Sequence, residues 1–175
     1  LVDENMNAKR DFMILAQVFK YIDSDQPIRF LIAECDYALT ALTALYYAKL
    51  FNIENKIDIS PLFETEKALA SGHTIIETLI KNNHYKKYIL ERGKICIQTG
   101  FSDAGRYLGQ TAAVLSIENL QRKVAKVLHD NGMKNVQLLI FDTHGESIGR
   151  GGHPLTIRDR LEYVNCNYTK NKIKL

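Results

Sequence analysis

Ile57-Asp-Ile-Ser-Pro-Leu-Phe63, opening onto Glu64-Thr65 and then a helical pattern from Glu66, is the stretch from which the fold reads. The run is short and rich in apolar and β-branched residues, which suits a buried strand. Three further runs share its character: Arg29–Glu34, Lys94–Thr99 and Val136–Phe141. Between them lie longer stretches with apolar residues at helical spacing. Residues 10–22 place Phe12, Leu15, Val18 and Phe19 on one face, and residues 37–51 carry Leu39, Leu42, Leu45, Tyr46 and Leu50. Residues 66–91 read as two helices broken near Asn82-Asn83, and residues 104–131 as a helical stretch stopped by Asn131-Gly132. The polar residues from about 165 to 175 read as a frayed tail.

Alternating strand and helix predicts an α/β fold with a parallel sheet. About four βα units are half of a helix-rich TIM-type (β/α) barrel, a fold that takes ~250 residues. A small open doubly wound sheet is the other architecture the pattern admits. In both, chemistry collects at the carboxyl ends of the strands. The 175 residues fit a single domain. The chain starts Leu-Val-Asp-Glu without an initiator Met, so a piece of a longer protein is expected.

Composition removes several classes. Lys and Arg number 23 against 20 acids, with no basic stripe interleaved with aromatics, so no nucleic-acid partner is expected. No apolar run reaches the ~18 residues of a membrane span, so no membrane partner is expected either. Cys35, Cys96 and Cys166 lie far apart, without zinc-ligand spacing, and a sparse odd count suits a reducing, cytoplasmic location.

Three of the strands end on suggestive groups. Glu64 and Asp103 follow the second and third, and could share a hard cation whose other ligands are substrate oxygens and waters. They read equally as first-turn acids or caps of the helices that follow. The fourth strand runs into Asp142-Thr-His144 and then a stretch with Gly145, Gly149, Gly151 and Gly152 around Arg150. Such a backbone can approach an anion and present N–H groups to it, while the Arg adds a planar fork. A plain flexible connection is the alternative. Asp142 and His144 are two apart, so a continuing strand would put them on one face, where the His could act as a base or a charged anchor. A surface loop His is the alternative there. His73, His84 and His129 lie within helical patterns and read as surface or boundary residues, and Lys86-Lys87 as a solvated face.

Together these motifs resemble a known family. Pro61-Leu-Phe-Glu-Thr65 is similar to the PLFET motif of phosphoenolpyruvate carboxylases. Gly100-Phe-Ser-Asp-Ala-Gly-Arg-Tyr-Leu-Gly109 resembles their GYSDSxKDxG motif, and Phe141 to Pro154 aligns without a gap to their FHGRGGxxGRGGxP loop. Order and spacing agree, and the likeness covers about residues 14–155. The resemblance implies an enzyme that makes oxaloacetate and phosphate from phosphoenolpyruvate and bicarbonate, through carboxyphosphate and an enolate, at a Mg²⁺ or Mn²⁺ ion. It implies Glu64 and Asp103 as metal ligands. Arg106 stands where the family has a Lys near the phosphate. Arg150 matches the Arg assigned to bicarbonate and carboxyphosphate, with Gly149, Gly151 and Gly152 around it on the substrate side.

The sequence departs from the family in four places. Asp142 replaces the loop's His, His144 its substrate-binding Arg, Glu146 a Gly, and Tyr107 an Asp. Near a phosphate the added acids matter, since like charges at ~4 Å interact by roughly 4 kcal/mol at an effective dielectric near 20. The family's catalytic His is expected upstream of this chain and further phosphate-binding arginines downstream, so the piece alone is expected to be inactive. Half a barrel exposes sheet edges and apolar faces, so self-association into a homo-oligomer is expected. Two other readings remain at this stage: a degenerate relative that binds an anion or a protein partner without turnover, and another metal-dependent enzyme acting on a phosphorylated or keto-acid substrate.

Overall fold

The computed structural model describes residues 7–142 and 166–173. In chain order the elements are α1 (Asn7–Tyr21), β1 (Ile28–Ile32), α2 (Ala38–Leu50), β2 (Ile57–Phe63), α3 (Glu66–Lys81), α4 (Asn83–Arg92), β3 (Lys94–Thr99), α5 (Phe101–Leu108), α6 (Gln110–Asp130), β4 (Gln137–Asp142) and α7 (Asn167–Ile173). The four strands form one parallel sheet in the order β1-β2-β3-β4. That order has no reversal, so the described strands contain no switch point of a doubly wound sheet.

Local chemistry sets the boundaries. The Thr65 hydroxyl accepts from the Ala68 N–H at 3.1 Å and starts α3. Asn82 ends α3, and its side chain accepts from the His84 and Tyr85 N–H groups to start α4, so one residue makes the expected break. The long stretch from 104 to 131 differs from expectation. It is two helices, α5 and α6, split at Gly109 with φ 84° and ψ 155°, a conformation essentially reserved for glycine. Residues 167–173, read from sequence as part of a frayed tail, form α7. The Glu118 carboxylate of α6 accepts from the Cys166 N–H at 3.3 Å and the Thr169 hydroxyl at 2.5 Å, which fastens the start of that helix.

The sheet has two unlike faces. Ile57, Ile59, Phe63, Ile95 and Ile97 join the core formed with the helices. Alternation puts Arg29, Asp58, Ser60, Leu62, Cys96, Gln98 and Phe141 on the other face. Leu62 and Cys96 are buried there but stand apart from that core. Arg29 reaches across this second face. Its guanidinium donates to the Ser60 hydroxyl at 3.1 and 3.0 Å and to the Ile97 carbonyl at 2.7 Å, and lies 4.7 Å from the Phe141 ring centroid.

β2 and β3 pair only at their carboxyl ends, Leu62 with Gln98 and Phe63 with Thr99. Below that they part, and the backbone groups β2 would offer to β3 find another partner. The Tyr88 hydroxyl of α4 accepts from the Ile59 N–H at 3.0 Å and donates to the Ile57 carbonyl at 2.8 Å. Burial is the first cause of a Tyr88 phenol pKa above its ordinary range, and the hydroxyl stays protonated for this role. Tyr85, one turn earlier, is fully buried, and its hydroxyl finds no hydrogen-bond partner among the described residues. The two tyrosines should therefore respond oppositely to loss of the hydroxyl. Tyr88→Phe strands two buried backbone groups and is expected to cost about 1–3 kcal/mol. Tyr85→Phe removes a hydroxyl buried without compensation and is expected to be neutral or stabilising. Urea midpoints of the two variants check this, and equal destabilisation would contradict it.

Candidate functional site

At the carboxyl ends of the strands the chain gathers carboxylates. Glu64 follows β2 directly, and Asp103 lies in the first turn of α5, just beyond β3. Both are half-buried. Their side chains come within hydrogen-bonding reach of each other. Burial first, then the Asp103 charge, push the Glu64 carboxyl above its ordinary range, partly offset by a hydrogen bond from the Glu34 backbone N–H. The two acids that the sequence singled out are thus brought together on one end of the sheet.

Gly100 makes the approach possible. A Cβ at this position would stand 2.6 Å from the Glu64 Cβ and 3.1 Å from its Oε2. The Gly100 N–H also donates to the Phe63 carbonyl at 3.0 Å, continuing the β2–β3 pairing past the strand ends. Arg106 joins from the next turn of α5, its Nη1 donating to Asp103 Oδ1 at 3.1 Å while the side chain remains largely exposed.

A third wall comes from the turn after β1, which sequence reading passed over. The expected first strand ran to Glu34, but β1 stops at Ile32 and Glu34 takes a left-handed φ of 48°. That turn aims the Glu34 N–H at the Glu64 carboxylate and sets the Cys35 N–H on the Leu62 carbonyl at 3.2 Å. Asp36 accepts from the Thr65 hydroxyl at 3.3 Å and faces the Lys67 ammonium at 3.9 Å, tying the turn to the start of α3. An acid closing an apolar run was the available signal for Glu34. Its backbone role had none, since every residue but proline carries that donor.

Two converging carboxylates suit a hard divalent cation, which takes one or two protein acids and leaves other positions for substrate and water. Among the described residues no group of three His, Cys, Asp or Glu side chains is placed to enclose a metal by itself. The pair fits an open site, in which substrate and water complete the coordination. Asp142 ends β4 and its backbone pairs in register with Thr99, at the same end of the sheet. His144, Gly149, Arg150, Gly151 and Gly152 lie outside the described residues.

Comparison with known proteins decides the relationship. The family model for phosphoenolpyruvate carboxylase matches residues 28–157, which includes all four strands and both acids. The chain belongs to the phosphoenolpyruvate carboxylase family. It is 31% identical over 135 residues to the phosphoenolpyruvate carboxylase of Acinetobacter baumannii, a match covering 75% of this chain and 14% of that protein. It is 33% identical over 125 residues to that of Acinetobacter baylyi, covering 71% of this chain and 13% of the relative. Phosphoenolpyruvate carboxylase 3 of Sorghum bicolor is 29% identical over 133 residues, 76% of this chain and 13% of the plant protein. The chain thus spans about one seventh of the length of these phosphoenolpyruvate carboxylases.

Proposed function

We propose that this chain is part of the catalytic barrel of a divergent phosphoenolpyruvate carboxylase, and that the longer enzyme carboxylates phosphoenolpyruvate with bicarbonate to give oxaloacetate and phosphate. The convergence of Glu64 and Asp103 at the carboxyl end of a parallel sheet is the observation that carries this reading. Strand order supports the barrel. Right-handed crossovers between sequentially ordered parallel strands put every helix on one side, as in a closed barrel. The other face, bearing Arg29, Asp58, Ser60 and Gln98, is then the interior that further strands would close over. Leu31 and Phe141 are about half exposed on it, which suits a surface meant to be covered.

In this reading Glu64 and Asp103 hold Mg²⁺ or Mn²⁺. A divalent ion there would stabilise the enolate oxygen and neutralise phosphoryl charge. Arg106 stands beside the acids, where it can swing from Asp103 to a substrate phosphate. Arg150, flanked by Gly149, Gly151 and Gly152, supplies the second cationic fork, for bicarbonate and carboxyphosphate. At Asp142 and His144 the sequence departs from the family: either Arg106 and Arg150 hold the anion, or the acid keeps the His protonated, or substrate binding is weakened. The isolated chain holds half a site and is inactive; the longer enzyme works in the cytoplasm and pairs with further copies.

Oxaloacetate formation by the longer protein, given phosphoenolpyruvate, bicarbonate and Mg²⁺, tests the proposal. Arg150→Ala should remove carboxylation and leave the thermal midpoint unchanged, because it deletes charge from a glycine-rich loop and not packing from the core. Near-normal oxaloacetate production by that variant would refute the role given to the loop. The substitutions at Asp142, His144 and Glu146 support one other reading, a relative that binds metal and anion without turnover. Mn²⁺ binding with no oxaloacetate formed would select it.

A further inference from the structure

We propose that the groove between α6 and α7 binds a small phosphorylated molecule, at a place separate from the strand-end acids. Arg122, Lys123, Lys126 and His129 of α6 and Tyr168 of α7 line a cavity of about 600 Å³. Lys123, Lys126 and His129 are three apart and Arg122 lies four before Lys126, which groups them toward one side of the helix. They occupy the second half of a 21-residue helix that follows α5, the helix carrying Asp103. At 1.5 Å per residue, such a helix is roughly 31 Å long.

Among the described residues the groove carries an excess of positive charge. Among the described residues Arg122, Lys123 and Lys126 form no ion pair. Among the described lining residues Asp130 is the one acid, and it faces His129 at 3.2 Å. Glu118, one turn before Arg122, accepts from Cys166 and Thr169, and the Arg122 charge also acts on its carboxylate. Arg122 and Lys126 are like charges four apart, an arrangement that works against the helix in the absence of an anion. Lys123 also reaches beyond the groove, helping burial to lower the His73 imidazole pKa below its ordinary value.

The shape and the donors name the ligand class. A concave site of several hundred Å³ suits a small molecule better than a macromolecular surface. The excess of Arg122, Lys123 and Lys126 over acids among the described lining residues suits an anionic group, and an Arg fork beside two ammonium groups is the donor set that phosphates take. Tyr168 flanks the groove, with the Arg122 guanidinium 5.9 Å from its ring centroid. An aromatic wall of that kind could also stack a base. The shared chemistry is therefore a phosphate ester or anhydride, from a phosphorylated metabolite or a nucleotide.

Calorimetric titration of the purified protein with inorganic pyrophosphate and with ADP, at low salt and without divalent cations, tests this. Lys123 and Lys126 have no part in the strand-end site, so a loss of binding on their substitution reads this groove alone, and failure here and failure of the carboxylase reading are separable. Lys123→Ala/Lys126→Ala should weaken pyrophosphate binding about tenfold or more, the scale of losing charge-assisted hydrogen bonds. Lys86→Ala/Lys87→Ala, two exposed positions of α4, should leave it unchanged and controls for net charge. Tighter binding of ADP, lost in Tyr168→Ala, identifies a nucleotide; equal binding of the two probes identifies a metabolite without a base. Equal weakening by both lysine pairs, no binding of either probe, or binding of a long oligonucleotide only would overturn the proposal.

Discussion

Replacing Asp58 by alanine is expected to destabilise the fold by about 3–5 kcal/mol, the range for removing one partner of a buried ion pair. Asp58 sits inside β2, 7% exposed, on the sheet face away from the helix core. Arg92, at the end of α4, reaches its Oδ1 with Nη2 at 2.5 Å and Nε at 3.0 Å, and Lys94 reaches its Oδ2 at 2.6 Å. Arg92 also donates to the Asn55 carbonyl. Both cations are largely buried, with side chains 16% and 23% exposed. Alanine leaves two of them without a counter-charge in the wedge where β2 and β3 part. Asp58→Asn keeps an acceptor and should cost less. The pair of variants separates lost charge from lost hydrogen bonding. The check is the urea midpoint at an unchanged slope. A loss under about 1 kcal/mol for Asp58→Ala would mean that the network is solvated and behaves as a surface pair.

The strands were legible because each is a short apolar run with polar or glycine borders, and the structure keeps β2 and β3 at the expected residues. The helix break at Gly109 was not. Apolar periodicity continues across it, and a lone glycine inside a helical pattern is more often tolerated than used. Its φ of 84° appears only when the chain is folded. α7 was illegible for a different reason: its anchor, Glu118, lies 48 residues from Cys166 in sequence. The same holds for Tyr88, whose hydroxyl completes β2 from a helix 29 residues on. Glu64 and Asp103 could be read because side-chain chemistry is written in residue type. The support from the Glu34 amide could not, and neither could the close approach at Gly100. The residues of the glycine-rich loop were legible as a motif, and their roles rest on that motif.

Gly100→Ala is expected to weaken Mn²⁺ binding by at least tenfold, within the 10–100-fold range seen when groups that orient metal ligands are changed. The added methyl would meet the Glu64 Cβ at 2.6 Å, a separation that real Cβ atoms do not tolerate, so Glu64 must move. The neighbour in the way is the root of the side chain and not its flexible tip, which leaves a shift of the strand end as the available relief. That end is held by the Gly100 N–H on the Phe63 carbonyl and by the Cys35 N–H on the Leu62 carbonyl, so backbone movement there breaks pairing on both sides of β2. Glu64→Gln removes charge at the same place without changing volume and should weaken binding as well. The two variants differ in how they respond to acid. With Glu64 present, the proton competes with the metal for a carboxyl already pushed above its ordinary range, so affinity falls as pH drops. Glu64→Gln should flatten that dependence, and Gly100→Ala should retain it at lower affinity. Electron paramagnetic resonance titration of Mn²⁺ across pH reads both effects. Wild-type affinity in Gly100→Ala would show that Glu64 does not need its present position to hold the ion, and the two-acid site would have to be abandoned.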